Sequence, residues 1–172
     1  MATLDDIKAL LGEPRFNWSD PEPWDQLEAE LGVSFPSDFR AITDAYGPVL
    51  INKQVYLDHP GHPVRNLRDG IKEQLEFYHE EGSAESLTSA PGSRPGELLP
   101  VATTSTGEDI FLRIPDGPAE PWAVGVQEWD SFGFVLHEMT FGDWLLAYLK
   151  GEDMTVHSHH LAPDKPFFEP LT

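Results

Sequence analysis

The sequence contains no cysteine among its 172 residues. This absence excludes a disulfide scaffold, a thiol nucleophile and any zinc or iron–sulfur site with cysteine ligands. It is compatible with a reducing compartment, and we expect the protein to be cytoplasmic. The sequence also lacks a run of about 18 apolar residues, and its acidic beginning, MATLDDIKALLGEP, is unlike a secretory signal peptide. We therefore expect neither a membrane span nor export.

Basic residues are scarce. Eleven lysines and arginines stand against 30 aspartates and glutamates, which gives a formal net charge of −19. Because binding to a phosphate backbone or to an anionic membrane requires basic patches, we expect no direct nucleic-acid partner and no membrane partner. Two interpretations of the charge stay open: it makes the surface soluble, or it also steers association with a basic protein.

Several enzyme motifs are missing as well. The sequence has no glycine-rich phosphate loop and no Gly-x-Ser-x-Gly nucleophile elbow. Two dipeptides, His79-Glu80 and His137-Glu138, begin like a zinc-protease helix, which needs a second histidine four residues after the first. Ser83 and Phe141 occupy those positions instead, so both candidates fail.

Three histidines stand close together in the C-terminal segment: His157, His159 and His160. A physiological metal site needs a fixed scaffold and further groups that orient the ligands. A proline-bearing tail predicts a solvated segment instead. We therefore predict no metal, no cofactor and no enzymatic activity.

Five helices are predicted from apolar residues at helical spacing and from capping and helix-ending residues around them. They run from Thr3 to Leu11, from Glu22 to Leu31, from Pro36 to Gly47, from Asn66 to Glu80 and from Thr140 to Gly151.

Strands are predicted where the periodicity changes to alternation between turn residues. Two short strands come first, Val49–Ile51 and Val55–Leu57, and a glycine- and serine-rich surface loop, partly mobile, is expected over 81–96. A meander of four strands then follows at Leu98–Thr103, Asp109–Ile114, Trp122–Gln127 and Phe132–Leu136. This order predicts an α+β fold: an antiparallel sheet of about four to six strands with helices packed on one side.

The segment WDQLEAELGVSFPSDFRAITDAYG, residues 24–47, carries a specific series of aromatic, acidic, glycine and proline positions. They are Trp24, Glu28, Leu31, Gly32, Phe35, Pro36, Asp38, Phe39, Tyr46 and Gly47. Together with LLPVATTSTGEDIFL at 98–112 and FGDWLLAYLKG at 141–151, this segment resembles the SUKH superfamily, the Smi/Knr-like proteins. The resemblance extends over roughly residues 20–151.

The resemblance implies an α+β fold and, for most bacterial members, an immunity protein that binds a cognate toxin, often a nuclease. Eukaryotic relatives regulate cell-wall synthesis through protein contacts, and neither role is catalytic. The implied organisation is an N-terminal helix and linker at 1–19, a SUKH-like domain at 20–151 and a C-terminal tail at 152–172. The signature residues have a structural interpretation of their own, since they suit helix ends and helix–helix packing.

An immunity protein would place carboxylates against the lysines and arginines of a basic toxin, with a few aromatic anchors. Candidate contacts lie in the turns and at the exposed edge of the meander: Glu108, Asp109, Asp116, Glu120, Glu128, Trp129 and Asp130. For each acid the alternative is a solvated surface charge, and for Trp129 it is packing beneath the sheet. Phe167 and Phe168 either cover the core or extend the interface.

The predicted function is therefore an immunity protein that neutralises a basic toxin domain by steric and electrostatic blocking. The alternative is a non-catalytic interaction or regulatory module of the same fold without a toxin partner. We expect a monomer or a weak dimer.

Overall fold

The computed structural model describes residues 1–80, 86–130, 133–155 and 163–172, and these contain five helices and seven strands. The helices are α1 (Leu4–Leu11), α2 (Glu22–Leu31), α3 (Ser37–Tyr46), α4 (Leu67–Glu80) and α5 (Phe141–Leu149). The strands are β1 (Val49–Ile51), β2 (Val55–Leu57), β3 (Leu98–Thr104), β4 (Glu108–Arg113), β5 (Ala123–Glu128), β6 (Phe134–His137) and β7 (Phe168–Pro170). The predicted α+β class is confirmed.

The helix ends follow the capping residues of the sequence. At the start of α1, Thr3 Oγ1 accepts a hydrogen bond from the Asp6 N–H, and the Asp6 carboxylate accepts one from the Thr3 N–H. Thr140 caps α5 through the N–H of Asp143, at 3.1 Å. Gly32 ends α2 with φ of 72°, a left-handed conformation that glycine adopts without strain.

The seven strands form one sheet in the order β6-β5-β4-β3-β2-β1-β7, and every neighbouring pair is antiparallel. The seventh strand was not expected. It comes from the tail, where the Asn52 N–H donates to the Phe167 carbonyl and the Leu171 N–H donates to the Pro48 carbonyl, both at 2.9 Å. Only three residues separate Pro166 from Pro170, which is too few to show an alternation pattern, so β7 could not be predicted from the sequence.

The main hydrophobic core lies between one face of the sheet and the helices. Alternate strand residues such as Leu99, Ile110 and Val124 face it, and α1 contributes Ile7 and Leu11. The first helix, predicted as part of a separate N-terminal segment, therefore shares the core of the domain.

A smaller hydrophobic cluster includes strand residues that alternate with those facing the main core. Tyr78 of α4 packs there with Leu98 and Phe111, and the partly buried Trp129 and Phe134 adjoin them. This second cluster places the C-terminal half of α4 beside the end of β5.

Only part of the predicted surface loop over 81–96 can be compared with the structure, because residues 81–85 lie outside the described residues. Its later residues are bonded to β3: the Leu98 N–H donates to the Ala90 carbonyl, and the Gly92 N–H donates to the Leu98 carbonyl, both at 2.9 Å. None of the helices in the described ranges combines the length and the hydrophobicity needed to cross a membrane.

Candidate functional site

The structure separates the candidate contact residues of the meander by their exposure. Asp116 and Asp130 are exposed, and Glu120 and Trp129 are partly exposed. Three are buried: Glu108, Asp109 and Glu128, whose exposed fractions are 1, 3 and 7%. The expectation that these three lie in exposed turns or at an exposed edge is therefore wrong. The physical reason is that β4 and β5 extend further than predicted and pair up to Glu108 and Glu128.

Glu108 is held inside the fold by hydroxyl groups. Thr104 donates to its Oε1 at 2.9 Å, and Thr106 donates to the same oxygen. The network continues inward, because the Gln54 amide donates to Thr106 at 2.9 Å and the Tyr148 hydroxyl donates to Gln54 Oε1 at 2.8 Å. Glu108 therefore stabilises the β3–β4 turn and is not available to a partner.

Asp109 holds two aromatic side chains. Its Oδ2 accepts a hydrogen bond of 2.6 Å from the Tyr78 hydroxyl and one of 2.8 Å from Trp129 Nε1. Burial raises the pKa of Asp109 and outweighs the two hydrogen bonds, which lower it. Burial, with the neighbouring Asp109 carboxyl, also raises the pKa of Tyr78. Asp109 is thus a buried group that fixes Trp129 in place.

Trp129 packs against the end of α4 and stays partly exposed. Its ring centroid lies 4.7 Å from that of Phe77 at an interplanar angle of 72°, an edge-to-face contact. Phe77 is 37% exposed. Packing, which the sequence left as the alternative for Trp129, is therefore present, and the pair still offers an aromatic surface to solvent.

Four acids lie close to this aromatic pair in the chain: Glu73, Glu76 and Glu80 on α4, and Asp130 directly after Trp129. Glu73 and Glu80 lie four residues before and three residues after Phe77, which puts them on the same side of α4. All four neighbouring acids are exposed and, among the described residues, take part in no ion pair. We call the group the Phe77–Trp129 surface; its members are Glu73, Glu76, Phe77, Glu80, Trp129 and Asp130.

The remaining candidates lie elsewhere. Glu120 Oε2 accepts a hydrogen bond of 2.9 Å from the Asp116 N–H, and Glu120 forms an ion pair of 3.1 Å with Arg113. These residues follow the far end of β4, which spans about 17 Å at the usual rise per residue. The seven candidates therefore do not form one patch. That Asp116 or Glu120 contacts a partner stays a prediction.

The signature residues of segment 24–47 join helices to one another and to the rest of the fold. Trp24 Nε1 donates to Asp44 Oδ1 at 2.8 Å. Asp38 Oδ2 accepts the Gly142 N–H at 2.7 Å and so ties α3 to the first turn of α5. The others pack in or beside the core or stand at helix ends: Leu31, Gly32, Pro36, Phe39, Tyr46 and Gly47.

His59 has an environment that the sequence did not predict. His59 is fully buried and stacked on Trp18, with the ring centroids 4.2 Å apart. Its Nδ1 accepts the Gly61 N–H at 2.9 Å, so Nε2 carries the proton and donates to Asp44 at 2.8 Å. Since both ring nitrogens are bonded, this Asp–His pair is a packing element and has no nitrogen free to accept a substrate proton. Burial lowers the pKa of His59.

Among the described residues, no three histidine, aspartate or glutamate side chains are grouped closely enough to hold a metal ion. The tail histidines at 157, 159 and 160 lie outside those residues.

No model of a known protein family matches the chain, and no curated protein matches it. The resemblance to the SUKH superfamily therefore depends on the segments 24–47, 98–112 and 141–151 alone.

Proposed function

We propose that this protein is a non-catalytic immunity protein that binds a basic toxin domain, a nuclease being the expected kind, and blocks it. The observation that carries the proposal is the exposed ring of Phe77, packed on Trp129, with four exposed acids close to the pair in the chain that form no ion pair among the described residues. The resemblance to the SUKH superfamily supports the same conclusion.

The aromatic pair is suited to anchor a partner. Aromatic residues dominate the binding energy of protein interfaces because they bury a large area with few rotatable bonds. Trp129 is already fixed by its hydrogen bond to Asp109 and by its contacts with Phe77 and Tyr78. Little conformational entropy is therefore lost when a partner covers it.

The carboxylates supply selectivity for a basic partner. A net charge of −19 accelerates the encounter with a positively charged protein, and the effect falls as salt screens the charges. Carboxylates on the Phe77–Trp129 surface would take the positions of substrate phosphates against the lysines and arginines of the toxin. Blocking is then steric and electrostatic and requires no chemistry from this chain. We place the activity in the cytoplasm, where a producing cell must protect itself.

The test begins with capture of partners by the tagged full chain from its native host, at low and then high salt, with identification by mass spectrometry. The captured protein is then expressed alone and together with this chain, and growth is measured. Two variants address the surface: Phe77→Ala, and the triple variant Glu73→Gln, Glu76→Gln and Glu80→Gln. The matched control removes three exposed carboxylates elsewhere, by Asp5→Asn, Glu13→Gln and Asp25→Asn.

The proposal predicts one stoichiometric basic partner, growth rescue by the wild-type chain and by the control, and weaker rescue by both surface variants. Rescue that is equal for all variants would move the interface away from the Phe77–Trp129 surface. Many substoichiometric partners without rescue would instead indicate a regulatory module without a toxin partner.

A further inference from the structure

The outer edge of β6 carries backbone groups that have no hydrogen-bond partner among the described residues. β6 is the last strand of the sheet, and the Glu128 N–H donates to the Gly133 carbonyl at 2.8 Å. In an antiparallel pair the bonded positions alternate, so Phe134 and Leu136 turn their N–H and C=O groups away from β5. Within the described ranges no hydrogen bond reaches these four groups.

The opposite edge of the sheet is protected. In β7 the outward positions are Phe168 and Pro170, because the flanking residues bond to the β1 side. Pro170 has no N–H to donate, and its presence at an edge discourages a further strand. β6 (Phe134–His137) contains no proline, aspartate, glutamate, lysine or arginine that would have the same effect.

We propose that the outer edge of β6 binds an extended segment of a basic partner protein, which adds to the sheet as a further strand. Addition of a strand at an exposed edge is a common way to recognise an extended peptide, because main-chain hydrogen bonds hold it. The inference deepens the proposed function, on which it rests for the basic character of the partner, and it names how that partner is held.

The surroundings of β6 favour a basic segment over a second copy of this chain. Glu138, directly after the strand, is 76% exposed and forms an ion pair of 3.9 Å with Arg113, and Asp130, four residues before Phe134, is exposed too. A second copy paired antiparallel would bring Glu138 of each chain towards the Asp130 end of the other, and both chains carry a charge of −19. Lysines or arginines in a partner strand would face these carboxylates instead.

Two side chains of β6 offer apolar contact and connect the edge with the Phe77–Trp129 surface. Val135 is 54% exposed and can pack against an apolar residue of an added strand. Phe134 adjoins the same small cluster as Trp129. A strand on β6 would therefore continue the Phe77–Trp129 surface.

The experiment uses the full chain labelled with ¹⁵N and a synthetic peptide, acetyl-Lys-Val-Lys-Val-Lys-Val-amide. A second peptide carries N-methyl groups at alternate residues along the edge that would face β6. We expect the first peptide to shift the amide signals of Phe134 and Leu136 and to slow their hydrogen exchange. N-methylation should weaken binding about fivefold for each hydrogen bond lost.

Two variants complete the test. Leu136→Pro removes the outward N–H without touching a bond to β5, whereas the control Leu136→Ala keeps that N–H and loses only side-chain atoms. Loss of peptide binding in Leu136→Pro and its retention in Leu136→Ala support the inference. The methylated peptide provides the same comparison on the wild-type chain if Leu136→Pro does not fold.

The inference would be overturned by equal binding of both peptides, by no binding of either, or by amide-signal shifts confined to other strands. Amide shifts of Leu136 that depend on protein concentration and accompany a dimer in sedimentation would also overturn it, since the occupant would then be a second copy. If Leu136→Pro rescues growth fully while Phe77→Ala does not, the β6 inference fails and the proposed function stands. If the peptide binds β6 but no toxin is captured, the proposed function fails alone.

Discussion

The hydroxyl of Tyr78 donates a hydrogen bond of 2.6 Å to the buried carboxylate of Asp109. This contact joins the last turns of α4 to β4, and the same oxygen accepts the Trp129 indole N–H. A residue expected to meet a partner is therefore buried beneath the surface that the partner would meet. In the proposed interface, Asp109 would act by holding Trp129 in position.

Replacing Tyr78 by phenylalanine should lower the free energy of unfolding by about 1–3 kcal/mol, because the substitution removes the hydroxyl that donates to the buried Asp109 carboxylate. The aromatic ring at position 78 keeps its packing. Urea unfolding of the wild type and of Tyr78→Phe measures the difference. Tyr56→Phe is the matched control, since no hydrogen bond of the Tyr56 hydroxyl is present among the described residues. An equal effect of both substitutions would contradict the role of the Tyr78–Asp109 contact.

Gly125 of β5 lies directly under the ring of Phe134. A Cβ at position 125 would come within 2.7 Å of Phe134 Cζ, so Gly125→Ala must displace that ring. We expect a loss of about 1–3 kcal/mol in unfolding free energy, as for other overpacked sites. At Gly117 a Cβ meets nothing within 4 Å, and Gly117→Ala should be nearly neutral. If the double variant Gly125→Ala, Phe134→Leu regains part of the lost unfolding free energy, the clash with the Phe134 ring is the cause of the loss.

The two adjacent phenylalanines of the tail, Phe167 and Phe168, should differ in their contributions to stability. Phe168 packs against the main core and meets Tyr46 edge-to-face at 5.1 Å, whereas Phe167 is 37% exposed. Phe168→Ala should therefore lower the free energy of unfolding by about 1–3 kcal/mol, and Phe167→Ala should lower it by less than about 0.5 kcal/mol. Similar losses for both, measured by thermal and urea unfolding, would mean that β7 does not secure the core through Phe168.

Stability should fall in mild acid because of His59. Burial, the largest effect, lowers the pKa of His59 below its ordinary value of 6.5, although its bond to Asp44 acts in the opposite direction. The unfolded chain therefore takes up the proton first as the pH falls. The contribution of His59 is fully present above about pH 6.5 and is lost as the pH falls through the lower pKa of the folded state.

This pH dependence can be measured by urea unfolding from about pH 8 to about pH 5, a range that excludes most carboxyl titration. His59→Gln, whose side chain does not titrate, should show a smaller decrease over that range than the wild type. A ¹H–¹⁵N titration that places the pKa of His59 at or above its ordinary value would contradict the prediction.

The sequence alone determined most of the local structure. Thr3, Gly32 and Thr140 mark helix ends because capping depends on backbone groups only a few residues away. Five helices, the first two strands and the meander were predicted for the same reason, with boundaries that differ from the structure by one or two residues in most cases. The charge of −19 and the absence of cysteine are likewise properties of the chain itself.

Only the tertiary structure decided which polar residues are exposed. Glu108 and Asp130 look alike in the sequence, yet one is enclosed by threonine hydroxyls and the other is in solvent. β7, the burial of His59 and the pairing of Phe77 with Trp129 also arise from contacts between residues far apart in the chain. Such contacts depend on how the sheet and helices pack together. A single sequence does not indicate which distant residue a side chain will contact, because the two residues come together only on folding.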